Sequence, residues 1–157
     1  MISPQHILLQ KLPMKVALGQ ARAARKRDEV PVGAVIIDTN SGQIIAQTSN
    51  RMEEDRDPTA HAELLAIREA TIAYGQKRLK TCDMYVTLEP CTMCAAAISL
   101  ARIRRLYFAA YDPKSGGVEH GARVFERITC HHKPEVIGGM NEVEAAKLLK
   151  NFFKDKR

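Results

Sequence analysis

Cys91 and Cys94 stand three residues apart directly after Pro90, and His61 and Glu63 lie upstream of them. Thiolate and imidazole are the ligands zinc takes in proteins. A proline suits the first turn of a helix, so Pro90 sets the two cysteines at a helix start. There, side chains at i and i+3 share a face, and the helix N-terminus favours negative charge. Taken alone, the C-x-x-C pair has three readings: a metal grip, a redox dithiol, or two small buried residues. His61 adds a third ligand. It falls near the start of the preceding helix, and two helices packed on one sheet can bring their N-termini together. The resulting His-Cys-Cys set has three protein ligands and one open position, the count of a catalytic zinc rather than a structural one.

Glu63 imposes a condition on that picture. On a regular helix, positions i and i+2 point in nearly opposite directions. His61 and Glu63 share a site only if His61 sits at the mouth of its helix, outside helical geometry. Asp57-Pro58 is a helix-start signal at the right place. Ala60 and Ala62 are small, and Leu64, Leu65 and Ile67 make the following helix largely buried. A carboxylate there is desolvated, with a raised pKa unless a metal offsets it, which is the profile of a proton shuttle. Cys82, Cys130, His131 and His132 read as structural or surface residues. Of these, Cys130 with His131 and His132 is the rival metal cluster.

The elements that must position these groups follow from the pattern of apolar residues. Residues 9–27 read as a helix, with Met14, Ala17, Ala21 and Ala24 at helical spacing. Val32 to Asp38 is a buried-strand run, Thr39 to Gly42 a turn, and Gln43 to Thr48 the returning strand of a hairpin. A helix is expected from Thr59 or Ala60 to Tyr74, ended by Gly75. A strand follows at Met84 to Leu88, and a helix from Glu89-Pro90 to Ala101. Leu106 to Tyr111 is a strand, residues 112–121 a loop, and Val136-Ile137 a short strand. The last helix spans Glu142 to Phe153, with Val143, Ala146, Leu149, Phe152 and Phe153 on one side. Strands alternating with helices after a hairpin imply an α/β fold: a mixed sheet of about five strands sandwiched between helix layers.

The chain has 157 residues, enough for one domain spanning 1–157 with a single core. No apolar run reaches membrane-span length, and Met1 to Lys15 carries no secretory pattern, so a cytoplasmic protein is expected. In that compartment four cysteines point to thiolate chemistry rather than disulfides. The net charge of +6 suits either a soluble basic enzyme or a polyanionic partner such as RNA. Basic residues cluster at Arg22, Arg25, Lys26 and Arg27, at Arg102, Arg104 and Arg105, and at Lys150, Lys154, Lys156 and Arg157.

His61-Ala62-Glu63 followed by Pro90-Cys91-Thr92-Met93-Cys94 matches the H-x-E…P-C-x-x-C signature of the zinc nucleobase deaminases, the cytidine/deoxycytidylate deaminase superfamily. Within it the chain resembles the bacterial deaminases of adenosine in tRNA. The words that carry the likeness include Glu29 to Val35, Asn50-Arg51, Asp57 to Glu63, Tyr85 to Cys91, Asp112 to Gly116 and Asn151 to Lys154. The turn at Thr39 to Gly42 and residues 118–134 fit the family pattern less closely. The resemblance implies a three-layer α/β/α cytidine-deaminase-like fold and one zinc per subunit, held by His61, Cys91 and Cys94. It implies a zinc-activated water with Glu63 as proton shuttle, converting adenosine to inosine at the wobble position of an anticodon stem-loop. It further implies Asn50 on the extruded base, Val32 and Val86 along the base pocket, and a backbone N–H near Ala62 at the reacting centre. Arg51, Asp112, Lys114 and Phe152 are then RNA contacts, in a homodimer with no membrane association. Two alternatives stay open: a zinc deaminase of free nucleobases or nucleosides, and a zinc-stabilised RNA-binding subunit without catalysis. Glu63 argues against the second, because a purely structural site needs no proton shuttle.

Overall fold

The β-branched and aromatic runs form a five-stranded sheet in this computed structural model, which describes residues 3–157. The strands are β1 (Gly33–Asp38), β2 (Ile44–Ser49), β3 (Cys82–Leu88), β4 (Arg105–Ala110) and β5 (Glu135–Gly138). Their spatial order is β2-β1-β3-β4-β5. β1 runs antiparallel to β2 and β3, while β3, β4 and β5 run parallel. The helices are α1 (Pro4–Lys26), α2 (Ala62–Tyr74), α3 (Thr92–Leu100) and α4 (Glu142–Asp155).

Both faces of the sheet are covered, as parallel strands joined by helices require. On one face Ala34, Ile36, Met84, Val86, Leu106 and Phe108 pack with Ala66 and Ala70 of α2 and Ala95 and Ile98 of α3. On the other, Val35, Tyr85 and Tyr107 pack with Met14, Ala17 and Leu18 of α1 and Ala145 of α4. This is the expected α/β/α sandwich. Gly33 lets α1 lie close on β1: a Cβ there would come within 2.0 Å of the Ala17 carbonyl oxygen.

Several boundaries differ from the sequence reading. α1 begins at Pro4 rather than residue 9, a favourable first-turn place for proline. α2 begins at Ala62 rather than Thr59 or Ala60. The Asp57 carboxylate accepts bonds from the Thr59 backbone and hydroxyl, and the resulting turn delays the helix. α3 begins at Thr92, because Cys91 bridges to Gly116 and the Pro90 carbonyl accepts from the Gly117 N–H, holding the segment extended. The buried side of α4 is Ala145 and Phe152, with Leu148 and Leu149 half-buried. Val143, Ala146 and Phe153 are exposed, so the expected apolar side is corrected by a rotation of the helix.

Candidate active site

The delayed helix starts create the site. His61 caps α2 with extended backbone (φ −75°, ψ 147°), and Cys91 caps α3 likewise (φ −69°, ψ 173°). Each therefore stands outside its helix, with the first-turn N–H groups pointing towards the site. Cys94 lies one turn into α3. The condition that Glu63 placed on His61 is met: His61 precedes the helix, and Glu63 belongs to its first turn. Both helices pack on the same sheet face, so their N-termini meet at the carboxyl edge of β3 and β4. That edge is where open α/β sheets bind ligands.

His61 Nδ1 lies 3.6 Å from both Cys91 Sγ and Cys94 Sγ, and all three ligand atoms fall within 4.8 Å of one another. Tetrahedral zinc with ordinary Zn–N and Zn–S bonds puts such atoms about 3.6 Å apart, so the donor set fits the metal. Electrostatics agree. The Cys91 thiol is held down to about 4 by the Cys94 thiol donating to it, against the effect of burial, with further help from His61. The Cys94 thiol is pushed up by its thiolate neighbour and by burial. His61 is raised by its bond with Cys91, against burial. The cluster thus favours a thiolate at Cys91 beside protonated partners, whose protons a bound cation would replace. The rival cluster does not form. Cys130 Sγ contacts Ser99 Oγ and the His132 carbonyl, while His132 Nε2 bonds the Ile103 carbonyl. Among the described residues, His61, Cys91 and Cys94 are the one convergent ligand group.

Glu63 is 4% exposed. Burial raises its carboxyl to about 7, the nearby Cys91 charge adds to this, and hydrogen bonds from its own backbone and from Cys94 oppose it. A buried acid that titrates near neutrality can both take and give a proton.

A cavity of about 150 Å³ opens on these groups, lined by His61, Glu63, Cys91, Val32, Asn50 and Asp112 among others. That is below the 300 Å³ or so of drug-sized pockets, a scale for one base rather than a whole nucleotide. A broad hollow of about 840 Å³ adjoins it through Val30, Asn50 and Met52, and reaches Arg27, Phe152, Phe153 and Lys156. Asn50 is buried, its Nδ2 donating to Glu29 Oε2 at 3.3 Å.

The other expected positions divide. Val86 is fully buried in the core and does not line the cavity, because it lies one alternation deeper along β3 than Leu88, which does. Ala62 is buried and its carbonyl accepts from Thr48 Oγ1. Arg51 is engaged by Asp55 and Glu54 and lines neither the cavity nor the broad hollow. Lys114 is exposed in a turn capped by Asp112 Oδ1. Phe152 lines the hollow but is 7% exposed, whereas Phe153 is 50% exposed and presents the larger aromatic surface. Two carboxylates had no role in the sequence reading. Glu29 and Glu89 are each 1% exposed, and they anchor Asn50 and the 112–120 loop respectively. Both fall inside the family-like words Glu29 to Val35 and Tyr85 to Cys91, which do not reveal their partners.

Residues 9–110 match the model of the cytidine and deoxycytidylate deaminase zinc-binding region. A tRNA-specific adenosine deaminase of Agrobacterium fabrum is 57% identical over 92% of this chain and 93% of its own length. A solved structure from studies of A-to-I editing by tRNA:A34 deaminases at the wobble position superposes with a TM-score of 0.85. It is 56% identical and covers 88% of this chain and 99% of its own. Guanine deaminase from Bacillus subtilis gives a TM-score of 0.61 at 38% identity, over 64% of each chain.

Proposed function

From the premise that the chain belongs to the cytidine and deoxycytidylate deaminase family, we propose that it hydrolyses the C6 amine of the wobble adenosine in a tRNA anticodon loop, leaving inosine in the RNA and releasing ammonia. The observation that carries the reading is Glu63, buried beside a three-donor His-Cys-Cys site in a base-sized cavity. His61, Cys91 and Cys94 would hold one zinc ion per subunit, which when bound supplies the Lewis acidity that makes water nucleophilic at neutral pH. Glu63 moves the protons. It takes one from the attacking water and passes it to ring N1, then takes the second from the hydroxyl now on C6 and gives it to the departing amine, leaving the C6 carbonyl of inosine. Asn50, fixed by Glu29, orients the base, and Val32 supplies an apolar wall. The first-turn N–H groups near Ala62 and Cys91 stabilise developing negative charge.

An anticodon loop suits this cavity because its bases are unpaired and cheap to extrude. The broad hollow beside it offers the exposed ring of Phe153 for stacking, while its cations Arg27 and Lys156 are ion-paired with Glu54 and Asp28. Asp112 in the cavity wall and Lys114, exposed in the turn beside it, meet the RNA on the loop side of the cavity, and Phe152 backs the exposed Phe153 in the hollow. We read residues 1–157 as one catalytic unit that works in the cytoplasm, where tRNA is modified, and as a homodimer. Inosine formation on an anticodon stem-loop, measured against free adenosine, cytidine, cytosine and guanine, tests the reading. Turnover confined to the free compounds overturns it.

A further inference from the structure

Two residues before Cys91, the chain buries another carboxylate, that of Glu89. Glu89 follows the last residue of β3, and its backbone N–H donates to the Ala110 carbonyl at the end of β4. Its side chain is turned into the 112–120 loop. Oε1 accepts from the Asp112 N–H at 3.2 Å and lies 2.8 Å from His120 Nδ1. Oε2 accepts from three consecutive backbone N–H groups, Val118 at 3.3 Å, Glu119 at 3.1 Å and His120 at 3.1 Å. Such a run of N–H groups converging on one oxygen is an anion nest, filled here by the protein's own side chain. The fit is close. A Cβ on Gly116 would lie 2.2 Å from Oε2, and one on Gly117 would lie 2.6 Å from the Thr92 nitrogen. The same loop places Asp112 and Ser115 in the wall of the base cavity.

We propose that Glu89 is a positioning residue, which folds the 112–120 loop around its carboxylate and so sets the cavity wall that grips the substrate. His120 acts with it as the side-chain donor that closes the loop. Glu89 lies in the wall of the same cavity, but both of its carboxylate oxygens are taken up by the loop's N–H groups and His120. The inference rests on the deaminase reading above and adds a determinant of substrate grip. Glutamine at this position keeps the volume, but its amide nitrogen would meet N–H donors that now find an oxygen, so at least one arm of the nest is lost.

The test uses the full-length zinc-loaded protein, with Glu89→Gln and His120→Ala, on an anticodon stem-loop. Zinc content, KM, kcat and backbone hydrogen exchange are measured for each. For Glu89→Gln we expect zinc retained at the wild-type level, KM raised at least tenfold, kcat changed less than threefold, and faster exchange at Val118 to His120. His120→Ala, which spares the backbone nest, shifts KM in the same direction by a smaller factor. Faster loop exchange with unchanged KM overturns the proposal, as does zinc loss in parallel with activity. A fall confined to kcat also overturns it. If the wild type produces no inosine on the stem-loop but deaminates a free base, the substrate reading fails by itself. The same KM and exchange comparison on that base then decides the role of Glu89.

Discussion

Glu63→Gln keeps the shape of the side chain and removes the charge, so it separates the cost of burying Glu63 from its catalytic use. The folded carboxyl titrates near 7, against an ordinary value of 4.5. Because the folded value is the higher one, the protonated form is favoured by folding. The side chain imposes no penalty well below pH 4.5. It destabilises progressively between pH 4.5 and 7, and by a constant amount above. That plateau is about 3 kcal/mol at 1.36 kcal/mol per pKa unit, with no discount for solvent because the group is buried. Urea denaturation of the zinc-free protein in a chelator therefore finds Glu63→Gln more stable than wild type by about 3 kcal/mol at pH 8.5. The gain shrinks below about 1 kcal/mol at pH 5. With zinc bound, the cation favours the carboxylate and the gain at pH 8.5 falls. A variant less stable than wild type at pH 8.5, or a gain independent of pH, refutes the reasoning.

Three further outcomes follow from other parts of the molecule. Gly33→Ala drives a Cβ into the backbone of α1 and destabilises by about 3 kcal/mol in the same denaturation assay. A loss below about 1 kcal/mol would mean that α1 shifts freely. Cys94→Ser removes a direct ligand, and zinc affinity measured by chelator competition falls more than about a hundredfold, beyond what loss of an outer-shell partner costs. Unchanged affinity would place the metal elsewhere. Stem-loop binding weakens at least about tenfold between 50 and 200 mM salt if a few Lys or Arg residues neutralise phosphates. A flat salt response would remove the electrostatic argument drawn from the +6 charge.

The metal site was legible in the sequence because its parts are local signals. Pro90 sets a helix start and spaces Cys91 from Cys94, and Asp57-Pro58 delays α2 enough to leave His61 outside it. The layered sheet followed from the order of apolar runs. What the sequence hid depends on contacts between distant segments. Glu89 meets donors from 112 to 120, and Glu29 meets Asn50, and no periodicity encodes either pairing. Val86 shows the opposite failure. A strand valine two residues before the site-bearing end is expected in the pocket; it shares the face of the site but lies one alternation too deep, beneath α2 and α3, and Leu88 takes the place at the cavity. On α4, Val143 and Phe153 have the right chemistry for burial, yet the helix has too little neighbouring surface to cover more than the stripe through Ala145 and Phe152.

The most direct test of the central claim pairs one substrate with one substitution: a tRNA anticodon stem-loop with adenosine at the wobble position, and Glu63→Ala. The wild-type protein is predicted to convert that adenosine to inosine. Glu63→Ala is predicted to keep its zinc and its fold while losing nearly all turnover. Inosine formation undiminished in Glu63→Ala, or zinc lost along with activity, would contradict the role given to this buried carboxylate.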